Sequence, residues 1–314
     1  MMALIQNELM KVFGKIASWL YVLIIFAAVV IVGIVYLKME GEPDPNWRQT
    51  MEEEIVKLES QLEYVSEEEK PLILQQIDEY QQYLDQNVNP NAPSNWRFMN
   101  DMVVGIGSVV TLFVVIVCSG NVSAEFSDGT IKQLLIRPHK RWSILLSKYI
   151  AVILYALLLV GTLIVSGYVV GLVLFGNGDF FAKVFEVSLE GRHAVAVGPQ
   201  FFLKVFYYLP SLLMIMTIAF MLSTLFKSQA LAVGGGMFVL FVSSTLRGII
   251  LLLSAKYAWA KLLIFPHLDL VPYASQEQLM AGVTLPFSLS ILGIYYVLFI
   301  VATFWFFQRR DVSI

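Results

Sequence analysis

Six long runs of apolar residues constrain this sequence more than any other feature. A helix that crosses a lipid bilayer needs about 20 consecutive, mostly apolar residues. The runs that meet this condition are 16–37, 102–122, 149–175, 201–226, 230–253 and 287–307. Charged residues make up only 14% of the 314 residues, whereas soluble domains carry about 25%. The sequence therefore predicts an all-α integral membrane protein with six transmembrane helices.

The distribution of lysine and arginine predicts the orientation of these helices, because cytoplasmic loops are enriched in both residues. With the N terminus inside, the cytoplasmic segments hold ten Lys and Arg residues, and the short outer segments 177–204 and 254–286 hold five. The run 16–37 is too long for the apolar region of a signal peptide, so we expect it to remain as an anchor. Both termini are predicted to be cytoplasmic.

Residues 1–15 are predicted to form an amphipathic helix on the cytoplasmic side. Apolar residues gather on one side of this helix and polar residues on the other. Such a helix can lie in the headgroup layer with its lysines near anionic lipid. Its candidate interfacial residues are Glu8, Lys11 and Lys15. The alternative is that the segment simply extends the first span.

The largest polar block, residues 38–101, is predicted to form a helical hairpin outside the membrane. Apolar residues recur at helical spacing in 47–64 and again in 67–85, and Ser66 with Glu69 fits a capping box for the second helix. Two helices alone bury little surface, so we expect the hairpin to lean on another copy or on neighbouring loops. Its acidic runs could attract a cationic ligand but are typical of a solvated face.

The remaining residues, 102–314, are interpreted as a five-span membrane domain. Within it, segment 254–286 is too apolar for a free loop and too short to span the bilayer. We expect this outer segment to form a re-entrant or interfacial pair of short helices.

Missing motifs exclude or disfavour several chemistries. No G-x-x-x-x-G-K-[ST] sequence occurs, so the chain does not bind ATP through a P-loop. The three histidines lie far apart and no HExxH pattern occurs, so no metal site is expected. The single cysteine, Cys118, excludes a disulfide framework. A net charge of −3 disfavours a general basic surface for nucleic acid.

The ionisable residues of the apolar runs bear on the energy source. Proton-coupled carriers usually keep acidic residues within their spans, but the six runs contain no Asp or Glu. This absence favours an external energy source. Arg247 is the only ionisable residue well inside a run. It is a candidate substrate or gating residue, although snorkelling of its guanidinium to the headgroups is the simpler interpretation.

The predicted cytoplasmic segment 123–148 has the chemistry of a docking element. Asp128 and Gly129 form a predicted turn, and a short amphipathic helix runs from Thr130 until Pro138 stops it. The apolar edge of this helix is too short to fold alone and suits a groove on a partner protein. Its residues are Ile131, Leu134 and Leu135.

This segment resembles the intracellular signature of the type-2 ABC exporter permeases, the membrane subunits of ATP-binding-cassette transporters. The residues that match are Glu125, Gly129-Thr130, Leu134-Leu135, Pro138, Arg141 and Ser147-Lys148. The resemblance covers nearly the whole chain, because the six runs, the stretch 7–11 and the ending 309–312 also fit. The hairpin in 38–101 departs from the minimal family pattern.

The resemblance implies a transporter with two membrane subunits, this chain and a second copy or paralogue, and two separate ATPase subunits. The chain itself would have no catalytic, cofactor or metal site, because ATP and Mg²⁺ bind to the partner ATPase. Residues 123–141 would hold the coupling helix that seats in a cleft of the ATPase. The candidate ATPase-coupling residues are Glu125, Asp128, Gly129, Thr130, Leu134, Leu135, Arg137, Pro138 and Arg141.

The many Phe, Tyr and Met residues of the apolar runs suit a hydrophobic or amphipathic substrate, such as a peptide, an antibiotic or a lipid-like molecule, but they suit lipid-facing packing equally well. The resemblance implies that the substrate would cross the bacterial cytoplasmic membrane. A second class of function is a non-transporting membrane sensor or immunity module whose outer hairpin binds a ligand. An intramembrane enzyme is disfavoured because the spans lack paired catalytic residues such as His with Glu.

Overall fold

The structure is a computed structural model that describes residues 1–40, 44–62, 64–65, 70–89, 92–130, 140–188 and 191–310. Over these residues the chain is mostly helical. Two predicted features lie outside the described residues. They are the capping box at 66–69 and the coupling residues Leu134, Leu135, Arg137 and Pro138.

Among the described residues, six helices are long and apolar enough to cross a membrane, as the sequence predicts. The first is α2 (Ile16–Glu40), and the second is a continuous helix made of α5 (Asn95–Phe98), a π-helical turn (Met99–Val103) and α6 (Val104–Ser127). The other four are α7 (Arg141–Phe175), α8 (Val197–Leu225), α9 (Gln229–Ser254) and α10 (Leu285–Arg309). Three further helices are α1 (Met2–Phe13), α3 (Trp47–Gln61) and α4 (Lys70–Asp85).

Two of the six helices extend well beyond their apolar runs. Helix α7 begins at Arg141 rather than at residue 149, and α6 ends at Ser127 rather than at residue 122. An apolar run marks the part that suits lipid, whereas a helix continues as long as its backbone hydrogen bonds do. Glu125 and Lys148, which flank the apolar runs in sequence, are therefore held on rigid helices.

The chain forms two compact units. Unit 1 contains Met1–Val29, Val104–Ser166 and Leu203–Ile314, and unit 2 contains Val30–Val103 and Gly167–Phe202. In unit 1, the Sγ of Cys118 on α6 donates to the carbonyl of Met216 on α8 at 3.2 Å. The Oγ of Ser223, also on α8, accepts the amide N–H of Val122 at 2.9 Å. Buried small and hydroxyl-bearing residues thus allow these helices to approach closely.

Segment 254–286 of unit 1 differs from the predicted pair of short helices. It forms three 3₁₀ turns, at Ala258–Leu262, Phe265–Leu268 and Val271–Ala274, followed by a hairpin of β3 (Gln278–Met280) and β4 (Val283–Thr284). A proline lies near the start of the second turn and another near the start of the third. Because proline has no backbone N–H to donate, it fits the start of a turn and prevents the three turns from joining into one long helix. The segment buries an apolar core against α8 and α10. That core includes Leu268, Leu270, Tyr273, Met214 and Leu292.

A buried histidine fastens this segment to α10. The Nε2 of His267 lies 2.9 Å from the carbonyl of Lys261, and its Nδ1 lies 2.8 Å from the Oγ of Ser288. Because a carbonyl only accepts, Nε2 carries the proton and Nδ1 accepts from the serine hydroxyl. Burial lowers the pKa of His267. The neutral imidazole is therefore a packing and hydrogen-bonding group.

In unit 2, helices α3 and α4 pack against each other through Ile55, Leu58 and Ile77. The structure also contains a strand pair that the sequence analysis did not predict. Strand β1 (Lys183–Ser188) pairs antiparallel with β2 (Gly191–Ala196). Gly191, the first residue of β2, has φ +113°, a backbone conformation that suits glycine.

Helix α4 rests on this strand pair. Glu79 forms an ion pair with Arg192 of β2. The ring of Tyr83 packs edge-on against Phe185 of β1, with 4.9 Å between ring centroids. The hairpin was expected to lean on another copy or on neighbouring loops. These contacts are with a neighbouring segment of the same chain, the β1–β2 strand pair.

Candidate functional site

The predicted coupling residues that the structure describes lie at the end of α6 and the start of α7. Glu125 is in the last turn of α6, and Asp128, Gly129 and Thr130 follow its end. Gly129 has φ +70°, which fits the turn predicted at this position. Arg141 is the first residue of α7. Residues 131–139, between these two helices, are outside the described part of the chain.

Four charged side chains meet directly beside these helix ends, all within unit 1. The Nζ of Lys148 lies 2.7 Å from Glu8 Oε2 and 2.6 Å from Glu125 Oε1. The Nζ of Lys11 lies 2.8 Å from Glu8 Oε1 and 2.9 Å from Glu125 Oε1. We name these four residues the charge cluster. It joins α1 to the end of α6 and the second turn of α7.

The charge cluster is largely shielded from water. The side chain of Lys148 is 1% exposed, that of Glu8 is 4% and that of Glu125 is 13%, whereas Lys11 is 42% exposed and closes the outer side. Removing charges from water is expensive unless each is paired and hydrogen bonded. The two ammonium groups and two carboxylates balance to zero net charge, so each charge in the cluster has opposite charges beside it.

The titration of two members of the charge cluster reflects this pairing. Burial raises the pKa of Glu8, but the opposing effects of Lys148 and Lys11 are larger together and hold the pKa of this carboxyl below its ordinary value. Burial lowers the pKa of Lys11, and its hydrogen bonds to Glu8 and Glu125 more than reverse that effect. Glu8 and Lys11 therefore stay paired at neutral pH, and the stabilisation from Glu8 is lost as the pH falls through its lowered pKa.

The buried face of α1 explains how Glu8 enters the charge cluster. Leu4, Glu8 and Val12 are the buried residues of this helix, and their four-residue spacing places them on one face. Glu8, Lys11 and Lys15 were all predicted to be interfacial residues. The structure separates them, because Glu8 and Lys11 belong to the charge cluster and Lys15 is exposed.

The end of α10 joins the same group of helix ends. Arg141 Nη1 donates to the carbonyl oxygens of Gln308 and Arg310, at 3.3 and 3.0 Å. The guanidinium of Arg310 lies over the ring of Phe126, 4.1 Å from its centroid. Burial lowers the pKa of Arg310. Contacts between charged or polar groups thus connect α1, α6, α7 and α10 around the two ends of segment 131–139.

A cavity of about 670 Å³ lies beside the charge cluster, within unit 1. All four members of the cluster line it, together with Asp128 and Thr130. Its wall carries acidic and basic groups in equal number, which gives it no preference for a ligand of one sign. Among the described residues, no group of three or more His, Cys, Asp or Glu is placed to hold a metal ion.

Arg247 lies elsewhere in unit 1, on α9. Its guanidinium Nη1 pairs with Asp269 Oδ2, in the segment between α9 and α10. The structure thus gives the arginine a protein partner, whereas the sequence analysis weighed only headgroups or a substrate. Asp269 carries no motif that would have marked it as this partner.

Sequence reasoning also missed the pairing of Glu8 with Lys148. The two residues are 140 positions apart, so neither can be seen as the partner of the other from local spacing. One signal was available: an acidic residue at four-residue spacing between Leu4 and Val12, on the side of α1 that a packed helix would bury.

Comparison with known proteins identifies relatives over the whole length of the chain. A family model described as "Protein of unknown function (DUF2705)" matches residues 71–313. "Uncharacterized protein YhcI" of Bacillus subtilis (strain 168) is 32% identical over 323 residues, which cover 100% of this chain and 100% of that protein. "Uncharacterized membrane protein YdbK" of the same organism is 32% identical over 201 residues, 64% of this chain and 76% of that protein.

The second of these names and the six apolar helices agree on a multi-pass membrane protein. The family match extends over much more than half of the chain, and it is supported by a relative that aligns along its full length. The chain therefore belongs to the family described as protein of unknown function (DUF2705).

Proposed function

We propose that this chain is the membrane-spanning subunit of an ATP-driven exporter of the ABC type. In this proposal a separate ATPase subunit binds ATP and Mg²⁺, and a second copy or a paralogue completes the membrane part. The transporter moves a hydrophobic or amphipathic substrate across the bacterial cytoplasmic membrane. Both termini, the helix α1 and segment 123–148 face the cytoplasm, and the α3–α4 hairpin faces outward.

The charge cluster is the observation that carries the proposal. A coupling element must pass a displacement to the transmembrane helices rather than absorb it in a flexible loop. Segment 131–139 is bracketed by Glu125 and Lys148, which are ion-paired at 2.6 Å. Each is on a helix long enough to cross a membrane. A push on this segment would therefore act directly on α6 and α7.

Helix α1 would move with them. Glu8 accepts from Lys148 at 2.7 Å, and separating these buried ions would leave charges without partners. The amphipathic helix then behaves as part of one rigid body with the ends of α6 and α7. ATP-driven closure of the ATPase subunits could thus shift the transmembrane helices between two arrangements.

The first prediction tests ATPase coupling in the full chain, co-expressed with the cassette ATPase that we expect a neighbouring gene to encode. Gly129→Val forces a β-branched residue into φ +70°, and Leu134→Asp places a charge on the apolar edge. We expect both variants to insert normally but to lose ATPase co-purification or the dependence of ATP hydrolysis on the permease. Gly129→Asn and Leu134→Met are matched controls, since asparagine tolerates positive φ and methionine remains apolar.

Wild-type ATPase binding and hydrolysis in both disruptive variants would show that 123–141 is an ordinary loop. If the wild-type chain itself neither binds nor stimulates a cassette ATPase, the permease proposal is wrong. The sensor or immunity module would then be the better interpretation.

The second prediction tests orientation by labelling in intact cells. Ser60 and Ser127 are both exposed, so cysteines at these positions report sidedness rather than burial. In a Cys118→Ser background, Ser60→Cys should react with an impermeant maleimide and Ser127→Cys should not. Both should react with a permeant maleimide. The reverse pattern with the impermeant reagent would overturn the orientation and, with it, the position of the coupling segment.

A further inference from the structure

A second cavity of about 450 Å³ opens between α6, α8, α9 and the segment that follows α9, all within unit 1. Its volume falls within the range of about 300–1,000 Å³ that is typical of small-molecule sites. Among the described residues that line it, the charged ones are Arg247 and Asp269, which pair with each other. Much of the remaining wall is apolar. Its apolar residues include Val104, Leu212, Ile215, Leu240, Phe265 and Leu268.

The two members of this ion pair depend on each other unequally. The Asp269 side chain is 42% exposed, and its Oδ1 also accepts the amide N–H of Val271 at 3.1 Å. It would keep water and a backbone donor if the arginine moved away. The Arg247 side chain is only 26% exposed and projects from a helix long enough to cross a membrane. The arginine therefore needs a counter-anion more than the aspartate needs this cation.

Hydroxyl groups in the wall favour a ligand with donor groups beyond its charged end. Ser108 donates to the carbonyl of its own helix at Gly105, at 3.0 Å, and Ser244 does so at Phe241, at 2.8 Å. Because the single hydroxyl proton is used in each case, the oxygen offers lone pairs to the cavity. An N–H or O–H group of a ligand can be accepted there, next to apolar side chains.

We infer that this cavity binds an amphipathic molecule with an anionic head group, which displaces Asp269 from Arg247 and takes its place on the guanidinium. The planar fork of arginine matches the paired oxygens of a carboxylate or a phosphate. The apolar body lies along the wall of α6, α8 and α9. The inference rests on the proposed function in treating this ligand as the exported substrate. It names the class of that substrate as an amphipathic carboxylate or phosphate.

The test measures binding to the full chain in neutral maltoside micelles by native mass spectrometry. The probes share a dodecyl chain and differ in head group: dodecanoate, dodecyl phosphate, dodecanol and dodecyltrimethylammonium. We expect at least one of the two anions to bind more tightly than the alcohol and the cation. Arg247→Gln should weaken anion binding about tenfold, the loss of one charged hydrogen bond, and leave dodecanol unchanged. The anion that shows this loss identifies carboxylate or phosphate as the head group.

Two further variants keep the test decisive if Arg247→Gln unfolds. Asp269→Asn removes the competing carboxylate, so it should tighten anion binding several-fold while keeping the arginine. Lys256→Gln neutralises an exposed lysine just beyond α9, outside the cavity, and should change nothing. The inference is wrong if anion affinity is the same in wild type, Arg247→Gln and Asp269→Asn, or if the cation binds best through Asp269.

This binding test does not involve the ATPase. Anion binding without ATPase association would contradict the proposed function and support the ligand site. ATPase association without Arg247-dependent binding would support the proposed function and contradict the ligand site.

Discussion

Lys148→Met is expected to lower the free energy of unfolding by about 3–5 kcal/mol, because it removes one member of a buried ion network and leaves the others charged. Methionine keeps the length and apolar stem of lysine but provides no donor. Glu8, which is 4% exposed, would retain Lys11 as its one ion-pair partner among the described residues. A thermal unfolding scan of the purified chain in detergent should show a clear drop in Tm.

Two comparisons assign the effect to the ion network. Lys15→Met changes an exposed lysine near α1 and should leave the Tm near that of wild type. The double variant Glu8→Gln/Lys148→Met removes the carboxylate that has lost one of its two partners as well as the lysine. It should therefore be less destabilised than the sum of the single variants, a coupling that a double-mutant cycle measures directly. Additive effects, or a Tm unchanged by Lys148→Met, would mean that the four charges do not act as a network.

The sequence predicted the six membrane-spanning helices, because the preference of apolar side chains for lipid over water determines where they lie. Each of the six helices coincides with an apolar run, because hydrophobic length alone decides whether a segment can cross a bilayer. The helix ends were less predictable. Lys148 stands just outside the run at 149–175, in the predicted cytoplasmic segment 123–148, yet it is buried on a helix.

The rest of the candidate site depends on partners that are distant in sequence. Glu8 meets Lys148, Glu125 meets Lys11 and Arg247 meets Asp269 only after the helices have packed. Local spacing reports which face of a helix is apolar, but it cannot report which charge from another helix will lie opposite. The strand pair β1–β2 was missed for a related reason, because two short strands inside a predicted loop carry too few residues for a clear alternation.

The three consecutive glycines of α9 provide a matched test of how unit 1 is packed. Gly236 is buried against α6, and a Cβ at this position would overlap the Oγ of Ser119 and lie 3.0 Å from Val115 Cγ1. A Cβ at Gly234, two residues earlier on the same helix, would meet nothing within 4 Å. Both positions lie at nearly the same depth in the same helix, so they differ chiefly in what each side chain would touch.

Gly236→Val should therefore force α9 away from α6 and lower the free energy of unfolding by about 1–3 kcal/mol, the usual range for overpacking a close contact. Gly234→Val should leave stability unchanged or slightly raised, since valine has a higher helix propensity than glycine. Thermal unfolding of the two variants in the same detergent measures the difference. Equal Tm values would show that α6 and α9 do not meet at Gly236. In the proposed transporter, Gly236→Val should also weaken ATPase association, because α6 carries Glu125 of the charge cluster at its end.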